Sequence, residues 1–338
     1  MFGIKDLKRK IEITKTTIEC PVEKCKTKVK RMRKEDLKKL DSYLVNPKKT
    51  YEEKQYFYNC LCKKHRIYIT PSTFIYQDYG DNLLWKERRD KKVFDKMLKV
   101  KRVKAQLYHD NSEDAVSWNV FRFFERNNLI DGFLSLLVGT GLKSSEVIYW
   151  SYSQKEDNTW SELKETRDEF GEEKQRGSEP DIIIKTDKAL FFIEAKLTSA
   201  NKIDFNRTHT AKDKEERASR YRKGDRFLKL PFRDIIDADY YELGRFWVIG
   251  CSIAEKLKKD FYLVNIVLPR KENNIKRDFG KYIDSNQRRK FLRLAWEDIY
   301  QCISKGSLAT NKEILLEFFR TKTIGYKNQK LQKAFSIQ

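Results

Sequence analysis

Asp181, Glu194 and Lys196 are charged residues set into two apolar runs of the stretch "SEPDIIIKTDKALFFIEAKL", residues 178–197. "DIIIK" and "ALFFIEAKL" read as strands, and the "TDK" between them is short enough for a hairpin. With Asp187 and Lys188 as a two-residue turn, Thr186 pairs with Ala189, and counting outward puts Asp181 opposite Glu194. Directly opposed residues of an antiparallel pair point to one face with Cβ atoms about 4.5–5.5 Å apart. The period of two brings Lys196 to that same face. Two carboxylates so close repel each other unless a proton or a cation intervenes, so the pair suits a hard divalent ion that takes oxygen ligands.

A third acid stands upstream in "HDNSEDAVSWNVFRFFERN". Asn111 or Ser112 can cap a helix there, and Glu113 then shares a face with Val116, Val120 and Phe124 at i, i+3, i+7 and i+11. An acid on an apolar face invites a chemical role, although a helix N-terminus also favours a carboxylate on electrostatic grounds alone.

A second chemistry is written in the cysteines. Four of the six lie in "IECPVEKCKTKV" and "YFYNCLCKKHRIYITPSTF", giving Cys20, Cys25, Cys60 and Cys62, with His65 close behind. Tetrahedral zinc needs four thiolate or imidazole ligands, and two short turns can supply two each. Cys20, Cys25, Cys62 and His65 are the quartet expected to bind Zn²⁺. Cys60 competes with Cys62 for the third place, since Cys-x-Cys is a tight spacing for two ligands of one ion. Cys251 and Cys302 stand alone in apolar surroundings, as small buried hydrophobes do.

These residues need elements to hold them. The 338-residue chain exceeds the usual limit of one core, and 39% hydrophobic and 13% aromatic residues are enough to pack it. The formal charge of +22 is spread along the whole chain, which favours a polyanion, nucleic acid above all, over a merely solvated lysine-rich surface. No stretch reaches the roughly 18 apolar residues of a membrane span, and "MFGIKDLKRKIEITK" lacks the apolar core of a signal peptide. A cytoplasmic protein without membrane partners is expected, and in a reducing compartment clustered cysteines are better read as metal ligands than as disulfides.

Four blocks follow. Residues 1–85 form a basic zinc-binding module around "KVKRMRKEDLKKLDSYL", and residues 86–105 a basic connecting helix carrying Val93, Phe94, Met97, Leu98 and Val100. Residues 106–270 read as helix, three strands, helix, strand, with "LGRFWVIGCSI" and "FYLVNIVLP" as late apolar strands. Residues 271–338 read as helical, notably "SNQRRKFLRLAWEDIYQCI". The fold class expected is α/β.

A helix acid, then "PD" at Pro180–Asp181, then "EAK" at Glu194–Lys196, in an αβββαβ order, resembles the PD-(D/E)XK nuclease superfamily over roughly residues 106–268. The resemblance implies a restriction-endonuclease-like core with a mixed sheet. It also implies a catalytic Mg²⁺, or Mn²⁺, held by Asp181, Glu194, the Ala195 carbonyl and Glu113, with Lys196 orienting the attacking water. In the helix after the third strand it points to Arg217, Arg220 or Tyr221 as helpers. The function expected is a metal-dependent DNA endonuclease of bacterial defence or restriction type, as a homodimer or a defence-system subunit. The alternatives are an RNA-directed nuclease and a non-cleaving nucleic-acid-binding subunit that keeps the fold.

Overall fold

The two apolar runs around Asp181 and Glu194 lie near the middle of a seven-stranded mixed sheet in a computed structural model, which describes residues 1–45, 51–101, 104–173, 177–204, 209–306 and 309–337. The chain divides into two units. The first comprises Met1–Arg88, Val103–Phe123 and Tyr300–Gln338, the second Arg89–Arg102 and Phe124–Ile299.

In the first unit, β1 (Thr17–Glu19) pairs with β2 (Lys28–Lys30), and β3 (Leu61–Cys62), β4 (Ile67–Ile69) and β5 (Phe74–Tyr76) form an antiparallel sheet. Each strand is too short to stand alone. A core of Leu7, Ile11, Ile18, Val29, Ile67, Ile69 and Phe74 joins them, and Cys20, Cys25 and Cys62 are buried in it. The helices Lys34–Val45 and Tyr51–Asn59 separate the two cysteine pairs in sequence.

The second unit is built on the large sheet. Its strands are β6 (Glu146–Tyr149), β7 (Tyr152–Ser153), β8 (Asn158–Thr159), β9 (Ile182–Lys185), β10 (Ala189–Ala195), β11 (Asp260–Val267) and β12 (Arg289–Ala295), in the spatial order β12-β11-β10-β9-β6-β7-β8. β10, β11 and β12 run parallel, and the remaining pairings are antiparallel. All four pairs of the β9–β10 register fall as the hairpin count requires, from Leu190 with Lys185 to Ile193 with Ile182. Asp-Lys is a poor turn dipeptide, and neighbouring hydrogen bonds compensate for it. Thr186 Oγ1 accepts from the Ala189 amide at 2.9 Å, and Asp187 Oδ1 accepts from the Lys143 amide at 2.9 Å.

"LGRFWVIGCSI" is not a strand. It belongs to the helix Tyr241–Lys256, whose residues from Leu243 to Ala254 are almost all buried. A helix enclosed on every side has no polar stripe, so its apolar run carries no 3.6-residue period to distinguish it from a buried strand. Gly250 lets it lie close on the sheet: a Cβ there would come within 2.1 Å of the Phe261 ring. "SNQRRKFLRLAWEDIYQCI" is only half helical. Arg289–Ala295 forms the sheet-edge strand β12, and the helix Trp296–Lys305 begins after it. Charges at Arg289 and Arg293 are ordinary on an edge strand, where one side faces water. The chain ends in the helix Lys312–Thr321 and the hairpin of β13 (Thr323–Lys327) with β14 (Lys330–Lys333), which belong to the first unit. Among the described residues no helix is long and apolar enough to cross a membrane.

Candidate functional site

Two clusters of chemically competent side chains stand out, one in each unit. In the first, the ligand atoms of Cys20, Cys25, Cys62 and His65 all lie within 4.8 Å of one another. Cys20 Sγ is 3.5 Å and Cys62 Sγ 3.4 Å from His65 Nδ1, and the Cys25 and Cys62 sulfurs are 4.0 Å apart. A tetrahedron with metal–sulfur distances of about 2.3 Å has edges of about 3.7 Å, so these separations suit one tetrahedral ion. The main chain sets them. The Cys20 amide donates to the Thr27 carbonyl at 2.9 Å and the Cys25 amide to the Val22 carbonyl at 3.1 Å, which sets the first pair on one hairpin loop, and the His65 amide donates to the Cys62 carbonyl at 3.2 Å, which sets the second on a tight turn. Lys24 and Arg66 adopt positive φ, at 59° and 56°, to complete those turns.

The electrostatics of the cluster suit a cation. Burial pushes the Cys20 thiol up, while hydrogen bonding with Thr27 outweighs burial at Cys25 and holds its thiol below the usual value. Burial, then the charge of Lys64, lowers His65, which leaves the imidazole neutral and able to donate a lone pair. A cysteine that resists ionisation in a dry site is a cost that a bound cation removes. Cys60 is placed elsewhere: it ends the helix Tyr51–Asn59 and packs with Met32, Leu40 and Phe57, and burial raises its thiol to about 11. The Cys₃His cluster could therefore hold a metal ion such as zinc.

The second cluster lies at the end of the β9–β10 hairpin. Extending the observed register by one pair sets Asp181 against Glu194. Ile183, Leu190 and Phe192 occupy the preceding positions of that sheet face and belong to the core under the helix Tyr241–Lys256. The acids thus begin where the apolar row ends. Asp181, Glu194 and Lys196 are all buried, with exposures of 9%, 5% and 8%. Asp181 is fixed on both oxygens: Oδ2 accepts from the Ala195 amide at 2.8 Å and Oδ1 from the Trp150 indole at 3.3 Å. Lys196 Nζ donates to Glu194 Oε1 and to Glu242 Oε2, both at 2.7 Å.

Burial pushes the Glu194 carboxyl well above its ordinary range, and the Asp181 charge adds to the rise, while Lys196 pulls the other way without prevailing. At Glu242 burial also opposes ionisation, yet the Lys196 ammonium outweighs it and holds that carboxyl low. The carboxylates are clustered in a dry site, and their oxygen donors have the chemistry that Mg²⁺ or Mn²⁺ accepts. Glu113 belongs to the first unit, where Ser112 Oγ accepts from the Ala115 amide at 3.0 Å and caps the helix Glu113–Arg126.

Three contributors were missed in the sequence. Trp150 follows β6 at positive φ, which no local motif announced. Glu242 lies immediately before "LGRFWVIGCSI", the run read as a strand. Glu172 accepts from the Ser178 hydroxyl at 2.6 Å and from Tyr221, bracing the segment that leads to Asp181. Of the three helper residues weighed, Tyr221 is therefore tied to the lead-in of Asp181, and Arg220 pairs with Glu216 at 2.8 Å. Arg217 stacks over Tyr241, 5.5 Å from the ring centroid. No protein-family model matches the chain, and no curated protein or solved structure matches it either.

Proposed function

We propose that this protein is a metal-dependent nuclease resembling the PD-(D/E)XK superfamily, acting on DNA, with a zinc-bound N-terminal module. The observation that carries the reading is the buried Asp181–Glu194 pair on one sheet face with Lys196 beside it, held in a register that raises Glu194. Asp181 and Glu194, with the Ala195 carbonyl, are the residues proposed to hold Mg²⁺ or Mn²⁺. When bound, that ion would neutralise phosphate charge and lower the pKa of water.

The chain's own residues do the rest. The Trp150 indole and the Ala195 amide fix the orientation of the Asp181 carboxylate, so it need not reorganise as charge develops. Lys196, whose backbone is held by the Ile266 carbonyl, offers an ammonium to a phosphate oxygen or an attacking water. The low-dielectric surroundings strengthen both interactions. The net charge of +22 supports a polyanionic substrate, because cations distributed along a chain bind phosphates without regard to sequence.

The test is incubation of zinc-loaded protein with plasmid, linear DNA and RNA, with Mg²⁺, Mn²⁺ or no added divalent cation. Cation-dependent cleavage of DNA that is lost in Glu194→Ala, with DNA binding retained, is the expected result. Full cleavage by Glu194→Ala, or intact substrates under every condition, overturns the reading.

A further inference from the structure

Lys196 is shared between two acids on different elements. Glu194 is the penultimate residue of β10, and Glu242 stands in the first turn of the helix Tyr241–Lys256, yet both carboxylates lie 2.7 Å from the same ammonium. Glu242 is the less enclosed of the two, with its side chain 25% exposed against 6% for Glu194. The main chain of Lys196 is fixed at both ends. Its amide donates to the Ile266 carbonyl at 2.7 Å, and its carbonyl accepts from the Trp296 indole at 3.2 Å. Any redistribution between the two acids is therefore a motion of the side chain.

We propose that Glu242 is the positioning residue for Lys196, receiving the ammonium when a divalent cation occupies the Asp181–Glu194 pair. The inference rests on the reading of that pair as a cation site. An ammonium in contact with Glu194 supplies the charge that an incoming dication would supply, and the two repel at such range. A lysine with no other anion nearby would swing into solvent on its four-carbon stem and leave the site. Glu242 offers an equivalent carboxylate at an equal distance, so Lys196 lets go of Glu194 without leaving. Cation and lysine then occupy the site together, which cleavage by this set of residues requires.

Mn²⁺ binding to zinc-loaded protein, measured by calorimetry with no nucleic acid present, tests this apart from activity. Glu242→Gln should weaken Mn²⁺ binding roughly tenfold or more, the factor carried by one charge-assisted hydrogen bond. Because Glu242 acts through the ammonium, the same change made in a Lys196→Gln background should leave Mn²⁺ affinity unchanged within about twofold. If Glu242→Gln proves unfolded in a melting scan, Glu242→Asp keeps the charge, shortens the reach and carries the test with the same sign. Three results overturn the inference. Wild-type protein that binds no Mn²⁺ takes the cation-site reading down with it. Binding that is lost in Glu194→Gln but unchanged in Glu242→Gln removes Glu242 alone. Equal weakening in both lysine backgrounds makes Glu242 a direct ligand rather than a positioning residue.

Discussion

Replacing Glu194 with Gln should stabilise the protein in the absence of added Mg²⁺ or Mn²⁺, because the native site holds more negative charge than it can solvate. Burial and Asp181 raise the Glu194 carboxyl well above its ordinary 4.5. A raised acid binds its proton more tightly in the folded state than in the unfolded chain, so stability falls as pH rises from about 4.5 toward the folded-state value. Each pH unit in that window costs about 1.36 kcal/mol, which brings the penalty at pH 7 to at most about 3.4 kcal/mol. Glutamine keeps the shape and an oxygen for Lys196, whose charge is still met by Glu242 at 2.7 Å. A gain at pH 7 of up to about 3.4 kcal/mol is therefore expected, shrinking to nothing near pH 4.5. Denaturant unfolding across pH 4.5–8, with amide exchange read on β9 and β10, measures it. A variant less stable than wild type at pH 7, or a gain that does not change with pH, would refute the reasoning.

The other expectations are briefer. Elemental analysis should find about one zinc per chain, lost in Cys62→Ser and kept in Cys60→Ser, because only the first sulfur faces His65. Lys322 and Asp110 are both fully buried and 3.2 Å apart, so Lys322→Met leaves an uncompensated carboxylate and should cost about 3–5 kcal/mol in thermal or denaturant unfolding. Lys30 and Arg31 are exposed, whereas Lys28 and Arg33 pair with Glu12 and Asp36 at 2.7 Å. Neutralising Lys30 and Arg31 should therefore flatten the salt slope of DNA binding by about 0.9 for each phosphate that the protein no longer neutralises. An unchanged slope would place them off the DNA.

The sequence was legible where its signals were local. A two-residue turn and a period of two are enough to pair Asp181 with Glu194, and Thr186 and Asp187 supply the hydrogen bonds that keep that turn in register. The cluster of Cys20, Cys25, Cys62 and His65 was legible for a similar reason, since Cys20 and Cys25 share one hairpin loop and Cys62 and His65 one tight turn. The choice between Cys60 and Cys62 needed the structure. A two-residue difference moves a sulfur from the His65 side to a separate core beside Phe57 only because the helix Tyr51–Asn59 ends just ahead of them.

What could not be read locally was the burial that surrounds these residues. The run from Tyr241 to Lys256 has no polar stripe, so periodicity could not separate helix from strand, and with the wrong element Glu242 had no place. As a helix the same residues make sense: Glu242 stands where the positive end of the helix favours an acid, just ahead of the buried run. That placement changes the chemistry of its neighbours. Lys196 beside Glu194 alone would be a simple ion pair, self-contained and inert. With Glu242 at the same 2.7 Å the ammonium is held between two carboxylates, beside Asp181, whose charge adds to the rise at Glu194. A buried lysine held between two carboxylates is costly as a structural device, because apolar residues of similar size would pack there at lower cost.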